Sequence, residues 1–270
     1  MSKLAVIIPV YRNKLSTLEL VSYQSIIGSL IKYDIYLVAP DGLKLTGILN
    51  KNIQVISFDR RYFESVQTYN KLMLSASFYE AFSKYNHILI SQLDSYIING
   101  SKLEEFLRED IDYIGAPWIY RIYKITGIEE YIPFYHKRSA MSIIKYFTAK
   151  PYLVGNGGLS LRKVETFRRV ASEYANDINS CLEMIESESE EDQPLAINED
   201  VIWSIVCPVL TAGSLKVARF RDALKFSWDS RPDVCNRFTF GRLPFGCHAW
   251  DKNLEFWRNK IPDIARHLEN

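Results

Sequence analysis

The run Leu4-Ala5-Val6-Ile7-Ile8-Pro9-Val10-Tyr11 decides how the rest of the chain is read. Leu4 to Val10 is apolar without alternation and has the length of a strand, so it belongs in a sheet covered on both faces. Asn13 or Ser16 can cap the helix that follows, whose rough apolar stripe is Leu18, Val21, Ile26, Leu30 and Ile31. A second buried strand, Ile35 to Ala39, is stopped by Pro40-Asp41-Gly42, and a third runs from Ile53 to Phe58. A long amphipathic helix is expected from about Phe63 to Tyr85, and a fourth strand from His87 to Leu93. Apolar strands alternating with helices predict an α/β fold, a Rossmann-like and mainly parallel sheet with helices on both faces. Ligands of such sheets bind beyond the carboxyl ends of the strands. Here those ends are Pro9-Tyr11, Ala39-Gly42, Phe58-Arg61 and Gln92-Ser95.

The second half is less regular. Tyr113 to Trp118 reads as a short strand, and Ile119 to Lys150, rich in Tyr, Ile and Lys, as a flap. Glu186 to Asp192 holds five acids and two serines and reads as a solvated loop. No internal repeat and no Pro/Ser linker divides the 270 residues, so one domain over 1–270 is expected.

Composition narrows the function. With 47% hydrophobic residues the chain builds a core, and Lys+Arg 33 against Asp+Glu 32 lacks the basic excess of a nucleic-acid binder. Its apolar runs fall short of the roughly 20 residues that span a bilayer. The N-terminus shows no cleavage site, and Cys181, Cys207, Cys235 and Cys247 show no CxxC spacing. Reduced thiols and a cytoplasmic location are expected. There is no GxxxxGK[ST] loop, no GxGxxG after the first strand, no HExxH and no GxSxG. Nucleotide kinases, ordinary dehydrogenases, zinc proteases and simple hydrolases lose ground.

Four segments carry candidate chemistry. Asp94 closes the strand Ile88-Leu89-Ile90-Ser91-Gln92-Leu93-Asp94, where a carboxylate can hold a hard cation against a diphosphate or simply cap a turn. Gly155-Asn156-Gly157-Gly158 places three glycines in four positions, as a shaped loop or a ligand approach requires. Ser160 and Arg162 then fall at the start of an expected helix, whose amides favour an anion. Asn198-Glu199-Asp200 precedes the helical stretch Val201 to Val206; its acids cap that helix or supply a general base. His248, in Phe245-Gly246-Cys247-His248-Ala249-Trp250, can complete a metal site with Asp94, whereas His87, His136 and His267 read as structural or exposed.

VIIPVY, QLDSY, GAPW, GNGGLSLR, NED and LPFGCHAW, in this order over Leu4 to Trp257, resemble a family of bacterial glycosyltransferase-like domains. That family was formerly of unknown function, is found with surface-polysaccharide genes, and is classed with the GT-A nucleotide-diphosphosugar transferases. The resemblance implies a nucleotide-binding half of about 1–118 and an acceptor half of about 119–270. The implied donor is a nucleotide diphosphosugar, most simply a UDP-sugar, and the acceptor a glycan or lipid-linked glycan. Pro9, Val10 and Tyr11 would line the nucleotide pocket, with Asp41 or Asp59 near the ribose. Asp94 and His248 would hold Mn²⁺ or Mg²⁺, although Gln92 stands where the family's metal motif carries its first Asp. Asp200, with Glu199 beside it, would be the base of an inverting transfer. Gly155, Asn156, Gly157, Gly158 and Arg162 would approach the donor, and Trp118 and Trp250 would stack on sugar rings or, at least as readily for Trp250, pack in the core. The role also leaves room for peripheral association with the inner face of the membrane. Two rivals remain. One is a non-catalytic partner subunit that binds sugar nucleotide or glycan. The other is a nucleotidyltransferase, for which the loop after the first strand lacks glycine.

Overall fold

The computed structural model describes residues 3–45, 48, 53–108, 110–125, 128–132, 154–186, 198–262 and 264. Strand β1 (Leu4–Pro9) is buried throughout. It is followed by helix α1 (Thr17–Leu30), β2 (Asp34–Pro40) and β3 (Ile53–Phe58). Ser16 starts α1: its side chain accepts from the Glu19 amide, and Glu19 reaches back to the Ser16 amide. Val21, Ile26 and Leu30 carry the buried face of α1, while Ile31 is exposed.

The long helix expected from Phe63 to Tyr85 is instead three short pieces. A 3₁₀ turn spans Arg60–Phe63, α2 spans Val66–Met73 and α3 spans Ala76–Glu80. Ser65 and Ser75 each accept an amide hydrogen bond as N-caps, so the chain restarts twice. Strand β4 (His87–Ser91) ends before Gln92, and Gln92 to Asp94 form a turn. Beyond lie the two-residue strands β5 (Tyr96–Ile97) and β6 (Tyr113–Ile114), and the ribbon β7 (Tyr120–Ile125) with β8 (Ile128–Ile132). That ribbon is the described part of the expected flap; 133–150 and the acidic loop from 187 to 192 lie outside the described residues.

The helix expected at Ser160 and Arg162 is strand β9 (Leu159–Lys163), and helix α4 (Val164–Glu173) begins only after it. Strand β9 pairs antiparallel with β4, with Ile90 opposite Ser160. The main sheet has the order β3-β2-β1-β4-β9-β6. Strands β1 to β4 are parallel. The edge strand β3 is largely exposed rather than buried. Ala5, Ile7, Val38 and Ile90 face α2, α3 and α4 in one core, while Val6, Ile8, Leu37 and Leu89 face α1 in another. A side sheet, β10 (Ser227–Trp228), β11 (Gly246–Cys247) and β5, completes the frame.

From β1 the chain builds outward through β2 to β3, then returns to place β4 on the other side of β1. The crevice of an open parallel sheet opens at that reversal, between Pro9 and Gln92. Antiparallel β9 brings its starting loop to the same edge.

Candidate active site

A cleft of about 760 Å³ lies at this point, lined by Pro9, Tyr11, Gln92, Asp94, Asn156, Gly157, Gly158, Asp200, His248 and Trp250 among others. Tyr69 and Asn70 of α2 line it too.

Backbone pairing assembles one wall. The Gln92 amide donates to the Gly158 carbonyl (2.8 Å), and Ser95 Oγ donates to the same oxygen (3.0 Å). Strand β11 runs antiparallel to β5, with Cys247 opposite Tyr96, and parallel to β10, with Cys247 beside Trp228. This register delivers His248 between two carboxylates. Nε2 lies 3.1 Å from Asp94 Oδ1, and Nδ1 lies 3.1 Å from Asp229 Oδ1. Burial works against the imidazolium, but the two carboxylates outweigh it and raise the His248 pKa to about 10. Burial likewise opposes the Asp94 carboxylate, and the His248 contact lowers its pKa nonetheless. Ala249, directly after His248, sits at φ 47, a strained conformation of the kind that collects at functional sites. Nε2 is buried without a well-aligned hydrogen bond. Asp94 Oδ1 and His248 Nε2 therefore fit a divalent cation in place of the proton, and Asp229 on Nδ1 fixes the ring as an outer partner does in metal sites. Among the described residues no group of three or more His, Cys, Asp and Glu side chains is arranged to hold a metal. Two protein ligands are what this wall offers.

The opposite wall begins at Asn198. Glu199 is buried and forms a bidentate pair with Arg162, at 2.9 and 2.7 Å. Arg162 is fully buried and also donates to Tyr79 Oη (2.9 Å) and Ser160 Oγ (3.1 Å). Asp200 turns the other way. Its Oδ2 accepts from the Gly157 amide (3.1 Å), and its Oδ1 accepts from the Val201 amide (2.8 Å). Burial first, and the neighbouring Glu199 charge second, raise the Asp200 pKa to about 6. A single π-helical turn, Ile202–Val206, follows and is wholly buried. Such turns are frequent at functional sites.

The glycine loop joins the walls. A Cβ on Gly157 would strike Glu199 Oε1, and one on Gly158 would strike the His248 ring. These glycines are required by the protein's own side chains.

The structure thus brings Pro9, Tyr11, Gln92, Asp94, Asn156, Gly157, Gly158, Glu199, Asp200, His248 and Trp250 to one cleft. Val10, Asp41, Asp59, Gly155, Arg162 and Trp118 do not line it. Val10 is core, and Asp59 caps the turn after β3 through the Arg61 amide. Arg162 is committed to Glu199, and Trp118 is buried against Gly155. Trp250 is itself fully buried, donating to Ser22 Oγ at 2.8 Å, with its ring edge-on to Tyr96. Asp229, Tyr69 and Asn70 were not expected. Asp229 reaches His248 only through the β10–β11 pairing, for which no local signal exists.

The class of fold is shown by likeness to one solved structure, and two further structures match with lower TM-scores. Mouse xyloside xylosyltransferase 1, in its apo form, superposes with a TM-score of 0.51 at 12% identity, covering 91% of this chain and 97% of that one. The galactosyltransferase LgtC with donor and acceptor sugar analogues matches at 0.46 and 13%, covering 90% and 86%. GlyE of Streptococcus pneumoniae TIGR4 matches at 0.47 and 14%, covering 92% and 54%. The architecture is the GT-A glycosyltransferase fold. Within it, the chain belongs to the family described as "Protein of unknown function (DUF5672)", which matches residues 52–248. No curated protein matches the chain significantly.

Proposed function

We propose that the protein is a glycosyltransferase that moves a sugar from a nucleotide diphosphosugar, most simply a UDP-sugar, to a glycan or lipid-linked glycan acceptor of a surface polysaccharide. The observation that carries this reading is one cleft at the sheet's reversal point, with Asp94–His248 on one wall and Asp200 on the other. Tyr11, two residues beyond β1, offers its exposed ring to the nucleotide base. Asp94 and His248 would hold Mn²⁺ or Mg²⁺, which when bound supplies charge neutralisation on the departing diphosphate. Asp229 holds the His248 ring in orientation. Asp200 is the base: with its pKa at about 6 it is ionised at neutral pH yet basic enough to accept a proton. It takes the acceptor hydroxyl's proton as that oxygen bonds to the anomeric carbon, the bond to the diphosphate breaks, and the nucleoside diphosphate leaves. Glu199, spent on Arg162, is a positioning residue. Attack opposite the leaving group inverts the anomeric centre.

The test is a screen of nucleotide diphosphosugars for hydrolysis and transfer, with and without Mn²⁺. One donor is expected to turn over, and Asp200→Asn should cut transfer by about 10²–10⁴ while donor affinity stays near normal. Tight donor binding with no turnover under any condition would instead favour a non-catalytic binding subunit.

A further inference from the structure

The helix Pro232–Phe238 ends by presenting an aromatic ring to water. The Gly241 amide donates to the Asn236 carbonyl (2.8 Å) and the Phe240 amide to the Arg237 carbonyl (3.1 Å). This is a helix-terminating turn in which the first residue past the cap is left-handed, a position that glycine fills without cost. Phe240 occupies it at φ 53, and glycine comes one residue later. A bulky residue at positive φ is a genuine outlier. The ring it displays is 93% exposed, so no packing offsets the strain.

The surroundings are cationic. Phe238 is also exposed, and its ring meets Phe220 edge-on at 5.7 Å, tying the turn to the helix Phe220–Phe226. The Lys225 carbonyl accepts from the Phe245 amide (2.8 Å), so the end of that helix adjoins the segment leaving the turn. Arg219, Arg221, Lys225, Arg237 and Arg242 are all exposed on these two elements. None of the five forms an ion pair with a described residue. The local acids are engaged elsewhere: Asp222 lies 4.0 Å from Arg108, and Asp233 pairs with Arg231 at 2.9 Å. On a chain of net charge +1, five cations without an ion-pair partner among the described residues, on two adjoining elements, are a marked asymmetry.

We propose that this turn docks the protein onto an anionic lipid bilayer surface, with Phe240 entering the interface and the Arg and Lys side chains on the headgroups. Aromatic insertion and basic residues reinforce each other at such surfaces. Single-stranded nucleic acid favours aromatic platforms along a groove, whereas Phe240 projects from a turn. The proposal does not rest on the transferase reading, because its readout is membrane partition and not catalysis.

The experiment is sedimentation of the full chain with phosphatidylcholine vesicles, with and without phosphatidylglycerol. Binding is expected only with phosphatidylglycerol, and it should weaken with added salt. Arg237→Gln and Arg242→Gln should each lower the partition coefficient about five-fold. Phe240→Gly should lower it about ten-fold or more, while the melting temperature holds or rises because glycine relieves the left-handed strain. That pairing separates docking from folding. Failure to bind phosphatidylglycerol vesicles, or binding unchanged in Phe240→Gly and Arg242→Gln, overturns the proposal. So does equal binding of a single-stranded oligonucleotide that ignores Phe240→Gly, which would make the patch a general polyanion surface.

Discussion

Two aspartates face the same cleft and are held in opposite ways. Asp94 lies in a turn, 3.1 Å from an imidazole that it helps to protonate, and its pKa is lowered despite burial. Asp200 sits at a helix start with two backbone amides on its oxygens, and burial and the Glu199 charge raise its pKa to about 6. One residue type thus yields an anion on one wall and, on the other, a carboxyl group whose titration is moved toward neutrality. What separates them is the sign of the nearest side-chain charge. Asp94 has a cation beside it, whereas the cation nearest Asp200, Arg162, is already matched by Glu199. Paired titratable groups whose environments push their pKa values apart mark acid–base roles.

The comparison breaks most visibly at Arg162. Arg162→Met leaves Glu199 buried without its partner, and removing one member of a buried pair costs about 3–5 kcal/mol. Urea unfolding should show that loss, and Arg162→Met/Glu199→Leu should recover much of it. Wild-type stability in the single variant would mean that the Asp200 wall is not held by this pair.

The acid limb of stability sharpens the comparison next. Between pH 3.8 and about 6 the folded Asp200 keeps a proton that the unfolded chain has released. Folding is therefore weakened as pH rises through that window, by up to about 3 kcal/mol at its end. Asp94 acts in the opposite sense: its stabilisation is present above its unfolded pKa and is lost as pH falls through the folded value. Melting curves of wild type and Asp200→Asn across pH 4–7 should diverge upward in pH, with the variant keeping stability that the wild type loses. Parallel curves would show that Asp200 titrates normally.

Asp229 tests the first wall with a smaller effect. Asp229→Asn leaves the two proposed ligands, Asp94 and His248, in place but removes the anion that orients the ring. Outer-partner changes of this kind typically cost 10–100-fold in metal affinity. Calorimetric titration of Mn²⁺ in the presence of UDP should register that drop. An unchanged affinity would detach Asp229 from the cation site.

The parallel sheet was legible in the sequence because β1, β2 and β4 are buried on both faces and announce themselves as unbroken apolar runs. That Asp94, Asp200 and His248 share one cleft was legible because carboxylates and a histidine stand at strand and helix ends, where the crevice forms. The single long helix failed because its apolar period continues across Ser65 and Ser75, and the side-chain caps that end each piece compete locally with helix propagation. Arg162 misled for a related reason. Its strand is preceded by glycines that read as a ligand loop, yet a glycine required by a buried Glu199 or a His248 ring looks the same in sequence as one required by a sugar. Asp229 depended on long-range register alone.

The smallest effect lies between the two walls. Tyr69 Oη is buried beside Gln92 without a well-formed hydrogen bond, in the fields of both Glu199 and Asp94. Burial, with Glu199 next, raises its pKa, so the phenol is a neutral donor at every working pH. An unsatisfied buried hydroxyl costs about 1–3 kcal/mol, whereas deleting it without changing the ring's shape is close to neutral or stabilising. Tyr69→Phe should therefore leave the melting temperature of the ligand-free protein unchanged or raise it by a few degrees, about 1 kcal/mol at most. A clear destabilisation would show that the hydroxyl already has a partner, such as the Gln92 side chain or an ordered water. The space between Asp94 and Asp200 would then be closed by the protein's own polar groups, and the contrast between the walls would be structural and not a division of chemical labour.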